Sequence, residues 1–222
     1  MPSPFGSGHA FIFDLDGVLV HSMPLHVEAW RQYLETAGIP VEDLEGAMHG
    51  KRNSELVRQW FGDHVTEDLV LGHGVAKERL WRELMLKEGI DRYRVLGIND
   101  FLERYRDLPM AVGSNAELEN IDFVLDRFNL RPYFKVVVNG YQVTHAKPAP
   151  DIYLKAAERL EIEPPRCIVF EDSPVGIAAA HAAGMRVVGI QTTVEELEDV
   201  DLRVKDFLDP ALDAWLQLQL AT

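Results

Sequence analysis

Short apolar runs that alternate with helical segments are the feature that most constrains the fold of this chain. The runs cover residues 10–13, 110–113, 168–170 and 187–190, and residues 134–138 are also rich in β-formers. Apolar residues at helical spacing fall between them, at residues 117–128, 151–160 and 175–183. Strands that alternate with helices are typical of a parallel sheet covered on both faces. The pattern therefore predicts an α/β fold with a doubly wound parallel sheet.

A long helical region interrupts this alternation directly after the first strand. Residues 25–37, 54–61 and 68–87 carry apolar side chains at helical spacing, and no convincing strand separates them. With 222 residues, the chain is long enough for one sizeable core and a smaller unit. We therefore expect an inserted, all-helical cap domain at residues 19–91 and a core formed by residues 1–18 and 92–222. Trp60, Phe61 and Trp81 are expected in the interior of the cap.

Composition narrows the class of partner. The formal net charge is −14, which argues against nucleic acids and anionic membranes because both need basic patches. No apolar stretch approaches the roughly 18 residues of a membrane span, and residues 1–8 lack the features of a signal peptide. The single cysteine, Cys167, lies in an apolar run, which predicts a buried packing residue. Together these features predict a cytoplasmic protein.

Polar residues cluster where the predicted strands end. They are Asp14 and Asp16, Ser114 and Asn115, Lys147 in the loop after residues 134–138, and Glu171 and Asp172. An Asp, Ser or Lys at such a position is, taken singly, usually a turn, cap or loop residue. However, ligands of doubly wound sheets bind beyond the carboxyl ends of the strands, so all these side chains share one edge.

This combination of residue types suits phosphoryl transfer. Asp14 can attack phosphorus and form an aspartyl phosphate. Asp16, two residues on, can protonate the leaving oxygen and then deprotonate the water that resolves the intermediate. Lys147 and the Ser114 hydroxyl can hold the phosphoryl oxygens, helped by backbone N–H groups at the helix that starts near Asn115.

The same edge offers oxygen ligands of the kind that Mg²⁺ prefers. Asp14 and Asp172 can supply carboxylates, and Asp16 can supply its backbone carbonyl. Glu171 can act through a water molecule or orient the other ligands. We therefore predict a magnesium cofactor.

Four motifs carry a resemblance to a known family. They are Phe13-Asp14-Leu15-Asp16-Gly17-Val18-Leu19, Gly113-Ser114-Asn115-Ala116, Lys147-Pro148-Ala149-Pro150-Asp151-Ile152-Tyr153 and Phe170-Glu171-Asp172-Ser173-Pro174-Val175-Gly176-Ile177. In order and spacing the chain resembles the haloacid dehalogenase-like superfamily, in the branch of β-phosphoglucomutase and phosphoglycolate phosphatase, which inserts a helical cap after the first motif.

The resemblance implies a Rossmann-like core, magnesium and an aspartyl-phosphate mechanism. It assigns the nucleophile to Asp14 and the acid/base to Asp16. It assigns the phosphate ligands to Ser114, Asn115 and Lys147, and the metal ligands to Asp14, Asp16 and Asp172. Because the dehalogenases of the superfamily lack an acid at the position of Asp16 and need no metal, Asp16 with Asp172 favours phosphate chemistry.

Within that chemistry, two activities compete. A mutase must hold a second phosphate, and in the mutases a lysine precedes the cap-loop glycine and a Ser-Lys pair follows the second core motif. Here His49 precedes Gly50, and Ala116-Glu117 replaces the pair. This favours a phosphatase for small phosphomonoesters, including sugar phosphates. Two observations leave the mutase as an alternative. Lys51 and Arg52 could supply the cations for a second phosphate, and His26 matches a mutase position thought to couple substrate binding to acid/base action.

The cap offers further candidates for substrate contact. They are Ser22, His26, Gly50, Lys51, Arg52 and Asn53. The alternative is that Lys51 and Arg52 form a solvated loop and that His26 is a helix-surface residue beside Trp30. The expected partner is a small phosphorylated metabolite, and a monomer is compatible with that. A non-catalytic protein on the same fold is a third alternative, which is weakened because every mapped catalytic position holds a competent residue.

Overall fold

The computed structural model describes residues 8–48, 51–194 and 196–221. The chain forms two compact units. One runs up to His21 and resumes at Tyr93, and the other is Ser22–Arg92. Among the described residues, no helix combines the length and apolar character that a bilayer crossing requires.

The larger unit is built on a parallel sheet. Its strands are β1 (Ala10–Phe13), β2 (Met110–Ser114), β3 (Val136–Asn139), β4 (Cys167–Glu171), β5 (Arg186–Ile190) and β6 (Leu202–Val204). Their order across the sheet is β3-β2-β1-β4-β5-β6, and every neighbouring pair is parallel. This is the Rossmann-like doubly wound order, so the predicted fold class is confirmed. The order reverses between β1 and β4, where such sheets bind ligands.

The two faces of β1 pack against different layers, because successive side chains of a strand point to opposite sides. Phe11 and Phe13 face an aromatic layer, in which Phe13 stacks on Phe170 with ring centroids 4.6 Å apart. Phe101 stacks on Phe11 at 5.9 Å. On the other face, Ile12 belongs to an apolar cluster with residues from the covering helices. Burial on both faces explains why β1 is a continuous apolar run.

Helices cover this sheet. They are α5 (Ile98–Arg104), α6 (Leu118–Arg127), α7 (Asp151–Leu160), α8 (Pro174–Ala182) and α9 (Pro210–Leu220). The start of α8 is set by Ser173, whose side chain accepts a hydrogen bond from Gly176 N, and by Pro174 in the first turn. Helix α8 therefore begins three residues after β4 ends at Glu171.

Among its described residues, the smaller unit contains helices joined by turns and loops, and no strand. Its helices are α1 (Met23–Thr36), α2 (Leu44–Met48), α3 (Asn53–Phe61) and α4 (Glu67–Glu88). They share an apolar cluster centred on the fully buried Trp30, against which Trp60 and Phe61 pack. Trp81 is fully buried as well. The prediction that Trp60, Phe61 and Trp81 are interior residues is confirmed.

The elements differ from the predicted ones in a few places. Strand β3 begins at Val136, because Phe134 closes a 3₁₀ turn onto Arg131 O and packs its ring on Phe13 at 5.6 Å. The helices α2, α5 and α9 and the strand β6 have no counterpart in the prediction. Cys167 is buried at the start of β4, as predicted.

Candidate active site

Asp14 lies at the point where the two central strands of the sheet end. It follows β1 directly, and its backbone N–H donates to Phe170 O of β4 over 3.0 Å. The chain then turns sharply through Asp16 and Gly17. Gly17 has a φ of +77° and donates to Val20 O over 2.7 Å, which favours glycine at this position. The side chain of Asp14 is buried at the switch point of the sheet.

Lys147 joins two of the predicted carboxylates. Its Nζ lies 2.7 Å from Asp14 Oδ1 and 2.7 Å from Glu171 Oε1. Although burial alone would lower it, the negative charges of Asp14 and Glu171 raise the pKa of Lys147 to about 12. Lys147 is therefore a fixed positive charge beside Asp14.

Glu171 accepts hydrogen bonds on both of its carboxylate oxygens. Its carboxylate accepts hydrogen bonds from Lys147 Nζ, Tyr153 OH, Asp172 N, Ser173 N and Ser173 Oγ, at distances of 2.7, 2.7, 2.9, 3.1 and 3.0 Å. Burial raises the pKa of Glu171, but Lys147 and the other donors bring it below its ordinary value. Because both oxygens are occupied by donors, Glu171 fits the predicted orienting role.

Asp172, one residue further on, has the opposite electrostatic character. Burial and the nearby charges of Glu171 and Asp14 raise its pKa well above the ordinary value. Burial also raises the pKa of Asp14 to about 7, although the charge of Lys147 opposes this. The raised pKa values mean that the protein's own charges do not fully compensate the ionised forms of Asp14 and Asp172.

A divalent cation would supply that charge, and the donors suit magnesium. Asp14, Glu171 and Asp172 each offer a carboxylate oxygen, and these oxygens lie within 4.8 Å of one another. Mg²⁺ prefers oxygen ligands such as these buried carboxylates, and a cation would favour the ionised forms of Asp14 and Asp172, whose pKa values are raised. Asp14 and Asp172 would hold the ion, and Asp16 lies in the same turn.

Two of the predicted phosphate ligands lie at the end of the neighbouring strand β2, which Asn115 follows directly. Ser114 is the buried last residue of β2, and its Oγ accepts from Ala116 N over 3.1 Å. Asn115 Oδ1 accepts from Lys147 N over 3.4 Å, which ties the β2 end to the Lys147 loop. The structure thus brings Asn115, Lys147 and Asp14 into one connected group.

In the helical unit, two of the cap candidates are bound to buried charged residues. His26 Nδ1 lies 2.7 Å from Lys77 Nζ, and its ring stacks on Trp81 with centroids 4.8 Å apart. Asn53 Nδ2 donates to Glu78 Oε1 over 2.6 Å. Lys77 and Glu78 are themselves paired over 2.9 Å. The four polar side chains form one network built on the buried Lys77 and Glu78, which we call the α4 charge cluster.

The remaining cap candidates have ordinary local roles. Ser22 is buried, and its carbonyl accepts from His26 N over 3.1 Å in the first turn of α1. The exposed Lys51 donates to Gln59 Oε1 over 2.6 Å. Arg52 N donates to Glu55 Oε2 over 2.8 Å at the start of α3. Gly50, like His49, lies outside the described residues.

Sequence reasoning did not assign several residues of these networks. They are Tyr153, Thr192, Thr193, Lys77 and Glu78. Tyr153 stands in a quoted motif, and Thr192 with Thr193 follows the strand at 187–190. Polar residues after the ends of parallel strands lie at the same edge of the sheet. Applied to the strand at 187–190, this rule would have placed both threonines at the site. No comparable signal marks Lys77 and Glu78, since charged residues on a helix are ordinarily solvated.

The fold and the site define an α/β enzyme with an acidic centre at the switch point of its sheet. The chain belongs to the haloacid dehalogenase-like hydrolase family, whose model matches residues 9–184. The family that the four motifs predicted is thereby confirmed.

Two relatives are named as phosphatases of phosphorylated carbohydrates. The chain is 33% identical over 183 residues to the fructose-1-phosphate phosphatase YqaB of Escherichia coli K12, covering 81% of this chain and 95% of that protein. It is 35% identical over 189 residues to the phosphorylated carbohydrates phosphatase of Thermotoga maritima, covering 82% and 84%.

A solved structure supports the fold. The β-phosphoglucomutase of Clostridium difficile superposes with a TM-score of 0.82 at 24% identity, covering 96% of this chain and 97% of that one. At this identity the likeness concerns the architecture alone.

Proposed function

We propose that this chain is a magnesium-dependent phosphatase that hydrolyses small phosphomonoesters, including sugar phosphates, through an aspartyl phosphate on Asp14. The observation that carries the proposal is the position of Lys147 Nζ, 2.7 Å from both Asp14 and Glu171 at the strand ends. A buried carboxylate beside a fixed ammonium suits attack on a phosphoryl group, whose charge the ammonium offsets. The activities named for the two relatives support the same chemistry.

In the first step, an oxygen of Asp14 attacks phosphorus and the bond between phosphorus and the ester oxygen breaks. Asp16 donates its proton to that ester oxygen, so the product leaves as an alcohol. Ser114, Asn115 and Lys147 hold the phosphoryl oxygens during the transfer, and the Asn115 side chain also accepts a hydrogen bond from Lys147 N.

In the second step, the ionised Asp16 accepts a proton from water. The water oxygen attacks phosphorus, the bond to Asp14 breaks, and inorganic phosphate leaves. When bound, magnesium supplies positive charge to the phosphoryl oxygens and to the carboxylates that hold it. Asp14 and Asp172 provide those carboxylates and the Asp16 carbonyl a further oxygen, with Glu171 orienting Lys147 and the backbone of Asp172.

The choice of substrate is assigned to the inserted unit. The proposed contacts are Ser22, His26, Gly50, Lys51, Arg52 and Asn53, in a cap domain at about residues 19–91 that serves the catalytic core. A small phosphorylated metabolite as partner, a cytoplasmic location and the absence of nucleic-acid or membrane partners belong to the same proposal. The net charge of −14 supports the last point.

The alternative activity is that of a sugar-phosphate mutase. One specific observation favours it. His26, at the mutase-like position, is held against the buried Lys77, whose ammonium is a cation that a second phosphate would need. Glu78 offsets that ammonium at 2.9 Å, and for this reason the phosphatase is preferred.

A panel of phosphomonoesters assayed with Mg²⁺ tests the proposal. Inorganic phosphate should be released from several sugar phosphates, and Asp14→Asn should abolish release while the exposed Asp63→Asn leaves it unchanged. Interconversion of β-glucose 1-phosphate and glucose 6-phosphate without release would instead establish the mutase. Turnover that survives in Asp14→Asn would refute the mechanism, and no turnover of any ester would favour the non-catalytic alternative.

A further inference from the structure

Two adjacent threonines lie beside the acidic centre, at the carboxyl end of a third strand. Strand β5 ends at Ile190, and Thr192 and Thr193 follow it. Because β5 is parallel to β4 and next to it in the sheet, its end lies at the same edge as Asp172. Both threonines are partly buried, and both hydroxyls donate hydrogen bonds to protein oxygens.

Thr193 contacts the proposed metal ligand itself. Its Oγ1 donates a hydrogen bond to Asp172 Oδ2. A carboxylate that must bind a metal in one orientation loses affinity when it is free to rotate, and a hydrogen bond to one oxygen fixes that orientation. A threonine can hold this position well because its branched Cβ restricts χ1.

Thr192 holds the loop that carries the proposed nucleophile. Its Oγ1 donates to the backbone oxygen of Gly17, in the turn that follows Asp14 and Asp16. Gly17 also packs directly on Asp172, since a Cβ at position 17 would overlap the Asp172 carboxylate. The Asp172 carboxylate thus lies against both the Thr193 hydroxyl and Gly17, and Thr192 ties the Gly17 backbone to the same segment.

We propose that Thr193 is a positioning residue of the metal site, which holds the Asp172 carboxylate in its ligating orientation, with Thr192 fixing the turn at Gly17 against it. The inference rests on the magnesium site of the proposed function. It assigns a role to the β5–β6 connection, from which none of the predicted site residues comes.

Magnesium binding to purified protein, measured by titration calorimetry without substrate, tests the role directly. Thr193→Val keeps the shape and removes the donor, and it should weaken Mg²⁺ binding by roughly 10-fold or more. Thr193→Ser keeps the hydroxyl and should remain within about 3-fold of the wild type. The exposed Thr144→Val, in the same unit, is the matched control and should bind as the wild type does.

Thr193→Ala is measured in parallel, so that the test survives if the valine variant does not fold. The rise of the melting temperature with Mg²⁺ gives a second readout that needs no turnover. If a folded Thr193→Val or Thr193→Ala protein binds Mg²⁺ as tightly as the wild type, the positioning role is refuted while the proposed function stands. If the wild type itself binds no Mg²⁺, it is the proposed magnesium site that fails.

Discussion

Lys147 is the counter-charge shared by two buried carboxylates. Its Nζ is within 2.7 Å of both Asp14 and Glu171, and its side chain is almost fully enclosed. Removing one partner from such a group leaves the others buried without compensation, which costs more than the contact itself contributes. The same ammonium is proposed to offset the charge on the transferring phosphoryl group.

Lys147→Met, which keeps an unbranched side chain of nearly the same length and removes its charge, is therefore expected to lower kcat/KM by roughly 10²–10³-fold, the loss typical for one charge-stabilising donor. The melting temperature should fall as well. Kinetics at saturating Mg²⁺ and thermal unfolding measure the two effects. A fall in stability with kcat/KM unchanged would assign Lys147 a structural role only.

Glu78 of the α4 charge cluster has an unusually low pKa for a buried carboxylate. Burial raises it, but the charges of Lys77 and His26 and the hydrogen bonds from Asn53 and Lys77 bring the pKa to about 2. A carboxylate whose pKa is lower in the folded than in the unfolded state stabilises the fold above its unfolded pKa. That stabilisation is lost as the pH falls from about 4.5 to about 2.

Glu78→Gln should accordingly lower the free energy of unfolding by about 3–5 kcal/mol at pH 7, because Lys77 is left buried without its partner. The difference from the wild type should shrink as the pH is lowered through the same window. Denaturant unfolding at pH 7, 4 and 3 measures it. A difference that is constant with pH would show that the glutamine acts through packing.

The site residues and the α4 charge cluster differ in how far sequence could predict them. Parallel strands end at one edge of the sheet, so the sequence pattern alone indicates that polar residues after these strands lie close together. These residues are Asp14, Asp16, Asn115 and Asp172, with Lys147 in the loop after β3. The contact of Lys77 with His26 joins positions 51 apart on two helices. Helical periodicity assigns a face, but it does not tell whether a charged residue on that face meets solvent or a buried partner.

Helix α8 owes its first turn to a glycine that makes room for Glu171. A Cβ at Gly176 would overlap the Glu171 carboxylate. Alanine ordinarily stabilises a helix relative to glycine by up to about 1 kcal/mol. At Gly176 the overlap should outweigh this gain, so that alanine lowers the stability of the protein. Glu171 is held by five hydrogen bonds and cannot easily move away.

Gly176→Ala should therefore destabilise the protein by roughly 1–3 kcal/mol, as overpacking of a filled site does, and should reduce phosphate release because Glu171 is displaced from Lys147. Gly72→Ala is the matched control in α4, where a Cβ meets nothing within 4 Å, and it should be neutral or stabilising. Denaturant midpoints of both variants measure the contrast. Equal effects at the two positions would contradict the close packing at Gly176.

The elements that sequence predicted well are those with an unbroken pattern over enough residues. Strand β1 and helix α7 have the predicted bounds, since one is a run buried on both faces and the other is amphipathic over ten residues. Strand β6 has three residues, which is too short to show a period. Helix α9 did carry a signal, because Leu212, Leu216 and Leu220 are buried at a spacing of four.

The charge of the whole molecule also has a consequence for stability. At pH 7 the formal net charge is −14, and like charges repel more strongly in the compact state than in the unfolded chain. Salt shortens the reach of this repulsion from about 30 Å at 0.01 M to about 8 Å at 0.15 M. Exposed ion pairs, which salt also weakens, contribute little each.

Raising NaCl from about 0.01 M to about 0.15 M at pH 7.5 is therefore expected to raise the melting temperature by a few degrees. Near pH 4.9, where the net charge is close to zero, the rise should vanish. Thermal unfolding monitored by circular dichroism at both pH values measures it. A melting temperature that falls with salt at pH 7.5 would mean that favourable charge pairs outweigh the repulsion.

The central place of β1 in the sheet also shapes how the chain is made. Its neighbours β2 and β4 begin at Met110 and Cys167. At roughly 5–20 residues per second, the ribosome needs roughly 5–20 s to add the roughly 100 residues that separate β1 from β2. During that interval Ala10–Phe13 is an apolar segment without a strand partner on the nascent chain. The helices of Ser22–Arg92 can pack during this interval. Strand β1, which leads to Asp14, cannot pair until β2 is made, and an exposed apolar segment of this kind is suited to chaperone binding.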